Sequence, residues 1–218
     1  MHKLSKQPLT LIFDFDGTIA DTLLLYFSLL NALSDKFNFV KFNINNIDYY
    51  RSLSSHQIYD MLDLPKLKLP FFVYEARKVL KKEMDNIKPI QGIKDTIAKL
   101  KDDKIQLGII TSNSVKNVNH FLNNFGFPTF DFVFSSLRIW QKSVILKKVM
   151  ANQKLDPEKV YYIGDETRDI EAAHEAGVKS IAVTWGYNSL DILKSMNPDF
   201  IVDSPIQLNS LFENNSQK

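Results

Sequence analysis

Three features of the sequence predict an α/β fold, a doubly wound parallel sheet with an all-helical segment inserted into it. Leu9 to Phe13 (LTLIF) is a continuous apolar run, the pattern of a strand buried on both faces. In the second half of the chain, apolar strand-length runs alternate with single helical stretches, and strands spaced this way join through parallel crossovers. Between these parts, roughly Asp21 to Ile87, the pattern is helical and carries no strand signal. The boundaries follow: residues 1–20 and 88–218 form the core, and residues 21–87 the insert.

Taken in order, the first strand leads to a helix from Thr22 to Lys36, with Asp21 or Thr22 as N-cap. Asn43 to Ile87 reads as helix broken by Pro65 and Pro70, and its last piece, Phe71 to Ile87, carries lysines on its outer face. The rhythm changes after Pro89-Ile90-Gln91-Gly92. Strands are predicted at Ile105 to Thr111, Phe130 to Phe134, Val160 to Ile163 and Ser180 to Trp185. Helices are predicted at Val115 to Asn124, Ser143 to Asn152 and Thr167 to Ala176, the last stopped by Gly177. Phe200 to Val202 reads as an edge strand.

Composition narrows the function. Among 218 residues, 27 basic side chains face 25 acidic ones, a net charge of +2 that gives no sign of a nucleic-acid partner. There is no cysteine, so disulfides, thiol nucleophiles and thiolate metal sites are excluded. The polar start, Met1 to Pro8, lacks the apolar stretch of a secretion signal. The most apolar segment, Leu23 to Leu33, falls short of the ~20 residues of a membrane span. The expectation is a soluble cytoplasmic protein with neither a nucleic-acid nor a membrane partner.

Four polar clusters fall at the C-terminal ends of predicted strands, where open α/β sheets bind ligands. The first is Asp14-Phe15-Asp16-Gly17-Thr18. Two carboxylates this close repel each other unless a cation or a shared proton intervenes. Read as a calcium loop it fails, because glycine comes at position four and Leu25 stands at position twelve. The second is Thr111-Ser112-Asn113-Ser114, either an anion site or a plain N-cap through Ser112 or Ser114. The third is Lys142, just ahead of a helix. The fourth is Gly164-Asp165-Glu166-Thr167-Arg168-Asp169, whose acids suit Mg²⁺ or the N-terminus of the next helix. Together, in this order along one sheet edge, they compose a Mg²⁺-assisted phosphoryl-transfer site with an aspartate nucleophile. The four histidines are scattered and show no metal-ligand spacing.

With these motifs the sequence resembles the haloacid dehalogenase-like superfamily, in its phosphatase branch related to phosphoglycolate phosphatase. DFDGT (Asp14 to Thr18), IITSN (Ile109 to Asn113), Lys142 and GDETRD (Gly164 to Asp169) carry the resemblance. It implies a Rossmann-like core with the helical insert as a cap that closes over the site, excludes water and selects the substrate. It also implies a small phosphorylated metabolite, phosphoglycolate or similar, as substrate. Asp14 is then the nucleophile and Asp16 the general acid and base, with Thr111 and Lys142 on the phosphoryl oxygens and Ser112 and Asn113 beside them. Mg²⁺ is expected on Asp14, the backbone carbonyl of Asp16, and Asp165. Asp169 either joins the metal or orients Lys142. One departure concerns the residue before Lys142, where the family usually has glycine and this chain has Gln141.

In the insert, Arg51 with Ser52, Ser54 and Ser55 forms a dense polar group ahead of an apolar helix. Arg51 either grips a second anionic group of the substrate or is solvated while Ser54 or Ser55 caps the helix. The rival functions are a phosphomutase on the same fold and a non-catalytic binding module. A dehalogenase is disfavoured by Asp16 and Asp165, which it does not need.

Overall fold

A computed structural model describes residues 9–136 and 141–213. The segments Met1 to Pro8 and 137–140, and the tail beyond Glu213, lie outside the described residues. Strand β1 (Thr10–Phe13) is central. It pairs in parallel with β4 (Gln106–Thr111) on one side and β6 (Val160–Gly164) on the other. Beyond β4 lies β5 (Phe132–Ser135), and beyond β6 lie β7 (Lys179–Val183) and β8 (Phe200–Val202) at the edge. The order β5-β4-β1-β6-β7-β8 reverses direction beside β1, the place where such sheets open a ligand crevice. Register pairs Phe13 with both Ile109 and Ile163, so the first residues past these strands share one edge.

The period of two explains the continuous apolar run in β1. Leu11 and Phe13 join one buried cluster, with Ile97 and Leu100 of α5 (Ile93–Asp102) and Val118 and Phe121 of α6 (Val115–Asn124). Ile12 points the other way, to Leu146 and Val149 of α7 (Lys142–Gln153) and Ala173 of α8 (Thr167–Ala176). Both faces are covered, which is why Leu11 to Phe13 are all apolar. Gly177 ends α8 in the left-handed conformation at φ 74°. Helices α9 (Leu190–Ser195) and α10 (Pro205–Ser210) complete the layers.

The insert leaves and re-enters through a short antiparallel pair, β2 (Ala20–Asp21) with β3 (Lys88–Pro89). Its helices are α1 (Leu23–Phe37), α2 (Ile47–Arg51), α3 (Ser55–Met61) and α4 (Leu69–Glu83). They pack into a hydrophobic cluster of their own, in which Phe27, Leu30, Leu33 and Phe37 of α1 meet Phe72 and Val73 of α4. Two details differ from the sequence reading. Pro70 does not break a helix but sits in the first turn of α4, where its missing N–H costs nothing. The pattern Ile93, Ile97, Leu100 forms α5, a helix the strand–helix alternation did not assign. No helix among the described residues is long and apolar enough to cross a membrane.

Candidate active site

The loop after β1 carries the first motif. Gly17 adopts φ +82°, and a Cβ there would lie 2.2 Å from an Asp165 carboxylate oxygen, so only glycine lets the loop meet the end of β6. Asp165 is fully buried beneath it. Its Oδ1 accepts the Thr18 hydroxyl at 2.6 Å and its Oδ2 the Tyr187 N–H at 2.7 Å. Gly164 plays a similar part, because a Cβ there would come within 2.4 Å of the Asp169 carboxylate.

Lys142 is the hub of the buried charges. At 4% exposure its Nζ donates to Asp14 Oδ2 at 2.8 Å and to Asp169 Oδ1. Burial disfavours its charge, but Asp14 and Asp169 outweigh that and hold its pKa well above the ordinary lysine value. Asp169 Oδ2 accepts the Glu166 N–H at 3.1 Å, in a capping box that starts α8. Asp169 thus contacts Lys142 directly. Gln141, at φ −121°, adopts a backbone conformation that needs no glycine.

Asp16 stands at the edge of a cavity. Asn113 Nδ2 donates to both its oxygens at 3.2–3.3 Å. Burial pushes its carboxyl up to about 7, with the charge of Asp14 adding to the effect. Burial likewise raises Asp14 to about 6, against the pull of Lys142. A carboxyl in this range is suited to proton exchange near neutrality. Thr111 Oγ1 accepts the Asn113 N–H at 2.9 Å, which leaves the hydroxyl proton to give. Ser114, not Ser112, caps α6 through the Asn117 N–H.

The structure brings Asp14, Asp16, Thr111, Ser112, Asn113, Lys142, Asp165 and Asp169 to one sheet edge. Arg51 stands apart. Its guanidinium donates to the Thr184 carbonyl at 3.2 Å on the seam between insert and core, and it does not line the cavity. Ser54 caps α3 in a capping box with Gln57. The arginine that reaches the site from the insert is Arg77 of α4. Its Nε donates to Ser112 O at 2.6 Å, and a terminal nitrogen to Asn113 O and Ser135 Oγ. A signal for it existed: Arg77 falls between Val73 and Leu80 at helical spacing, a cation set in an apolar stripe. Glu166, overlooked beside Asp165, accepts Ser55 Oγ at 3.0 Å and pairs with Arg168 Nε at 2.9 Å.

The donor set suits a divalent cation. Asp14, Asp16, Asp165, Glu166 and Asp169 gather around Lys142 and Arg168, an excess of acid over base in a buried place. Burial first, then Glu166, Asp169 and Asp14, raise Asp165 well above its ordinary value. Among the described residues, oxygens of Asp14, Glu166 and Asp169 lie within 4.8 Å of one another. Asp16 and Asp165, expected at the metal, are not in that group, and both Asp165 oxygens are taken by Thr18 and Tyr187. Clustered carboxylate oxygens are what a hard cation such as Mg²⁺ takes.

This site on this sheet defines a class of protein. The profile of the haloacid dehalogenase-like hydrolases matches residues 11–183, and the chain belongs to that family. Within it, the chain is a phosphatase of the phosphoglycolate phosphatase-like branch. It is 31% identical over 199 residues to phosphoglycolate phosphatase from Synechococcus elongatus, covering 91% of this chain and 94% of that protein. It is 27% identical over 206 residues to the pyrophosphatase PpaX of Oceanobacillus iheyensis, covering 89% and 92%. A predicted phosphatase from Clostridium acetobutylicum, solved by crystallography, shares the fold with a TM-score of 0.81 at 22% identity, over 96% of this chain and all of that one.

Proposed function

We propose that this phosphoric monoester hydrolase is a Mg²⁺-dependent cytoplasmic enzyme that acts through an aspartyl-phosphate on Asp14. The observation that carries this reading is the pair at the first motif. One buried carboxylate is held on a lysine at 2.8 Å, and two residues on stands a second carboxylate whose pKa of about 7 suits proton transfer.

Asp14 attacks phosphorus through a carboxylate oxygen, and the bond to the leaving oxygen breaks as Asp16 hands that oxygen a proton. Asp16, now a carboxylate, takes a proton from water, which attacks the phosphoryl group and frees Asp14 and phosphate. Lys142 and the Thr111 hydroxyl hold the phosphoryl oxygens and offset their charge. Asp169 keeps Lys142 aimed. Asp14, the carbonyl of Asp16 and Asp165 would hold Mg²⁺, which when bound neutralises charge on the phosphoryl group and the clustered acids. The relatives named above act on phosphoglycolate and pyrophosphate, so a small phosphorylated compound is the substrate class.

Phosphate release from a panel of phosphomonoesters, with Mg²⁺ and with excess chelator, tests this directly. Release should depend on the cation and return when Mg²⁺ is restored. Full activity in chelator would overturn the metal assignment.

A further inference from the structure

Behind Asp16, Ser112 and Asn113 a cavity of about 120 Å³ runs from the site into the helical insert. Polar residues of the site and the seam, among them Asp16, Ser55, Arg77, Glu166 and Asn188, line part of it. The body is walled by Phe27, Leu29, Ile58, Leu62, Phe72 and Val73. Three of its four tyrosines spend their hydroxyls on protein partners. The Tyr50 hydroxyl accepts the Asn43 N–H at 3.1 Å, that of Tyr59 donates to Leu64 O, and that of Tyr187 pairs with Thr22 at 2.7 Å. Tyr187 stacks on Tyr26 with centroids 4.9 Å apart.

Such a wall discriminates. A sugar or glycerol unit would leave its hydroxyls without partners in the body of the cavity, and a buried unpaired hydroxyl is costly. The cations lining the cavity are Arg168, which is paired with Glu166, and Arg77, which donates to Ser112, Asn113 and Ser135, so a second carboxylate finds a cation beside Ser112 and Asn113 but not in the body. The volume is comparable with the ~150 Å³ apolar cavity that accepts a benzene ring. Asp16, which protonates the leaving oxygen, lines this cavity, so the leaving group begins at its mouth.

We propose that the leaving group is an apolar, ring-sized alcohol, and that the insert selects phosphate monoesters whose hydrocarbon body fills this slot. This rests on the phosphatase reading and names its substrate class.

The experiment uses monoesters whose leaving alcohols have similar acidity, so that chemistry does not mask selection: benzyl phosphate against ethyl phosphate, with 2-phosphoglycolate and glycerol phosphate alongside. Benzyl phosphate should exceed ethyl phosphate in kcat/KM by roughly 30–100-fold, the worth of burying a ring-sized apolar group. Ala76→Phe, which fills the slot from α4, should bring that ratio close to one. A preference for 2-phosphoglycolate or glycerol phosphate over benzyl phosphate would overturn the inference and leave the phosphatase reading standing. If none of the esters is hydrolysed, the phosphatase reading falls, and binding decides the slot by itself. Benzylphosphonate should then bind at least ~10-fold tighter than methylphosphonate by calorimetry. Equal affinities would overturn the slot, as would an unchanged ester ratio in a folded Ala76→Phe protein.

Discussion

In the α/β core, the strand ends bury Asp14, Asp165, Asp169 and Lys142 at 4% exposure or less, each tied to a partner on another element. In the helical insert the buried set is hydrocarbon and aromatic rings, and among the described residues of its helices only Ser34 and Ser55 are buried polar groups. The core obtains its geometry from register, because three adjacent strands deliver their next residues to one edge. The insert obtains its shape from side-chain packing between helices, two of them short. The difference predicts a division of labour, in which the core sets the reaction and the insert sets what reaches it. Substitutions in the core should lower turnover of every substrate, and those in the insert should change the ranking of substrates.

The largest effect is expected at the first motif. Asp14→Asn keeps the shape and removes the nucleophile, so turnover should be undetectable on all substrates and no phosphoenzyme should form. Asp16→Asn keeps the nucleophile and should lose about 10²–10⁴-fold, the usual worth of general acid–base help. The loss should be smallest for aryl phosphates, whose leaving oxygen needs a proton least. Because water activation also fails, this variant should accumulate a phosphoryl adduct, read by mass spectrometry on the peptide bearing Asp14. An adduct on Asp16, or one formed by Asp14→Asn, would reverse the two roles.

The division between regions also governs what was legible in the sequence. The core motifs could be read because each is a short run at the end of an apolar strand, where parallel pairing of the strands brings Asp14, Thr111 and Asp165 together. The helices α6 and α8 match the sequence reading residue for residue, since Ser114 and Gly177 punctuate them. Asn188 was not legible, and Arg77 only as a cation set in an apolar stripe. They meet the site through packing between segments far apart in sequence, and neither sits in a local motif. Arg51 shows the converse: a dense polar group drew attention to it, but its guanidinium lies on the seam. A sequence shows which groups share a strand edge more readily than which helix face turns toward that edge.

A middle-sized effect is expected where the two regions join. Asn188 is buried, and its side chain holds three backbone groups. Oδ1 accepts the Thr167 N–H at 2.9 Å, and Nδ2 donates to Leu53 O at 2.7 Å and Arg51 O at 3.3 Å. Asn188→Ala unpins the insert from the start of α8. Each buried group left unsatisfied costs about 1–3 kcal/mol, and each kcal/mol is roughly 2–4 °C of Tm in a chain of this size. KM should rise more than kcat falls, because the chemistry of the core is untouched. Equal losses in both, with Tm unchanged, would mean that the seam does not set the position of the insert.

The smallest effect separates the regions by their response to pH. Asp16 has a folded-state value of about 7 against an ordinary 3.8, because burial and Asp14 both oppose its charge. Between those values the folded chain binds more protons than the unfolded one, so the slope of stability with pH is negative for this group. Its favourable contribution is fully present below the unfolded value and is lost as pH rises through about 7. Asparagine imitates the neutral carboxyl and can still accept from Asn113. Metal-free Asp16→Asn should therefore melt with the native protein at about pH 4 and above it at about pH 8, by several degrees. Excess Mg²⁺ should shrink the gap at the higher pH, since a bound cation offsets the repulsion between Asp14 and Asp16. Asn188→Ala supplies the contrast, because the partners of Asn188 are backbone groups that do not titrate, and its deficit should be the same at both pH values. Melting curves of the three proteins in chelator decide the matter. A gap for Asp16→Asn that stays flat with pH, or that reverses at pH 8, would show that the first-motif carboxylate is not held against its charge by the core.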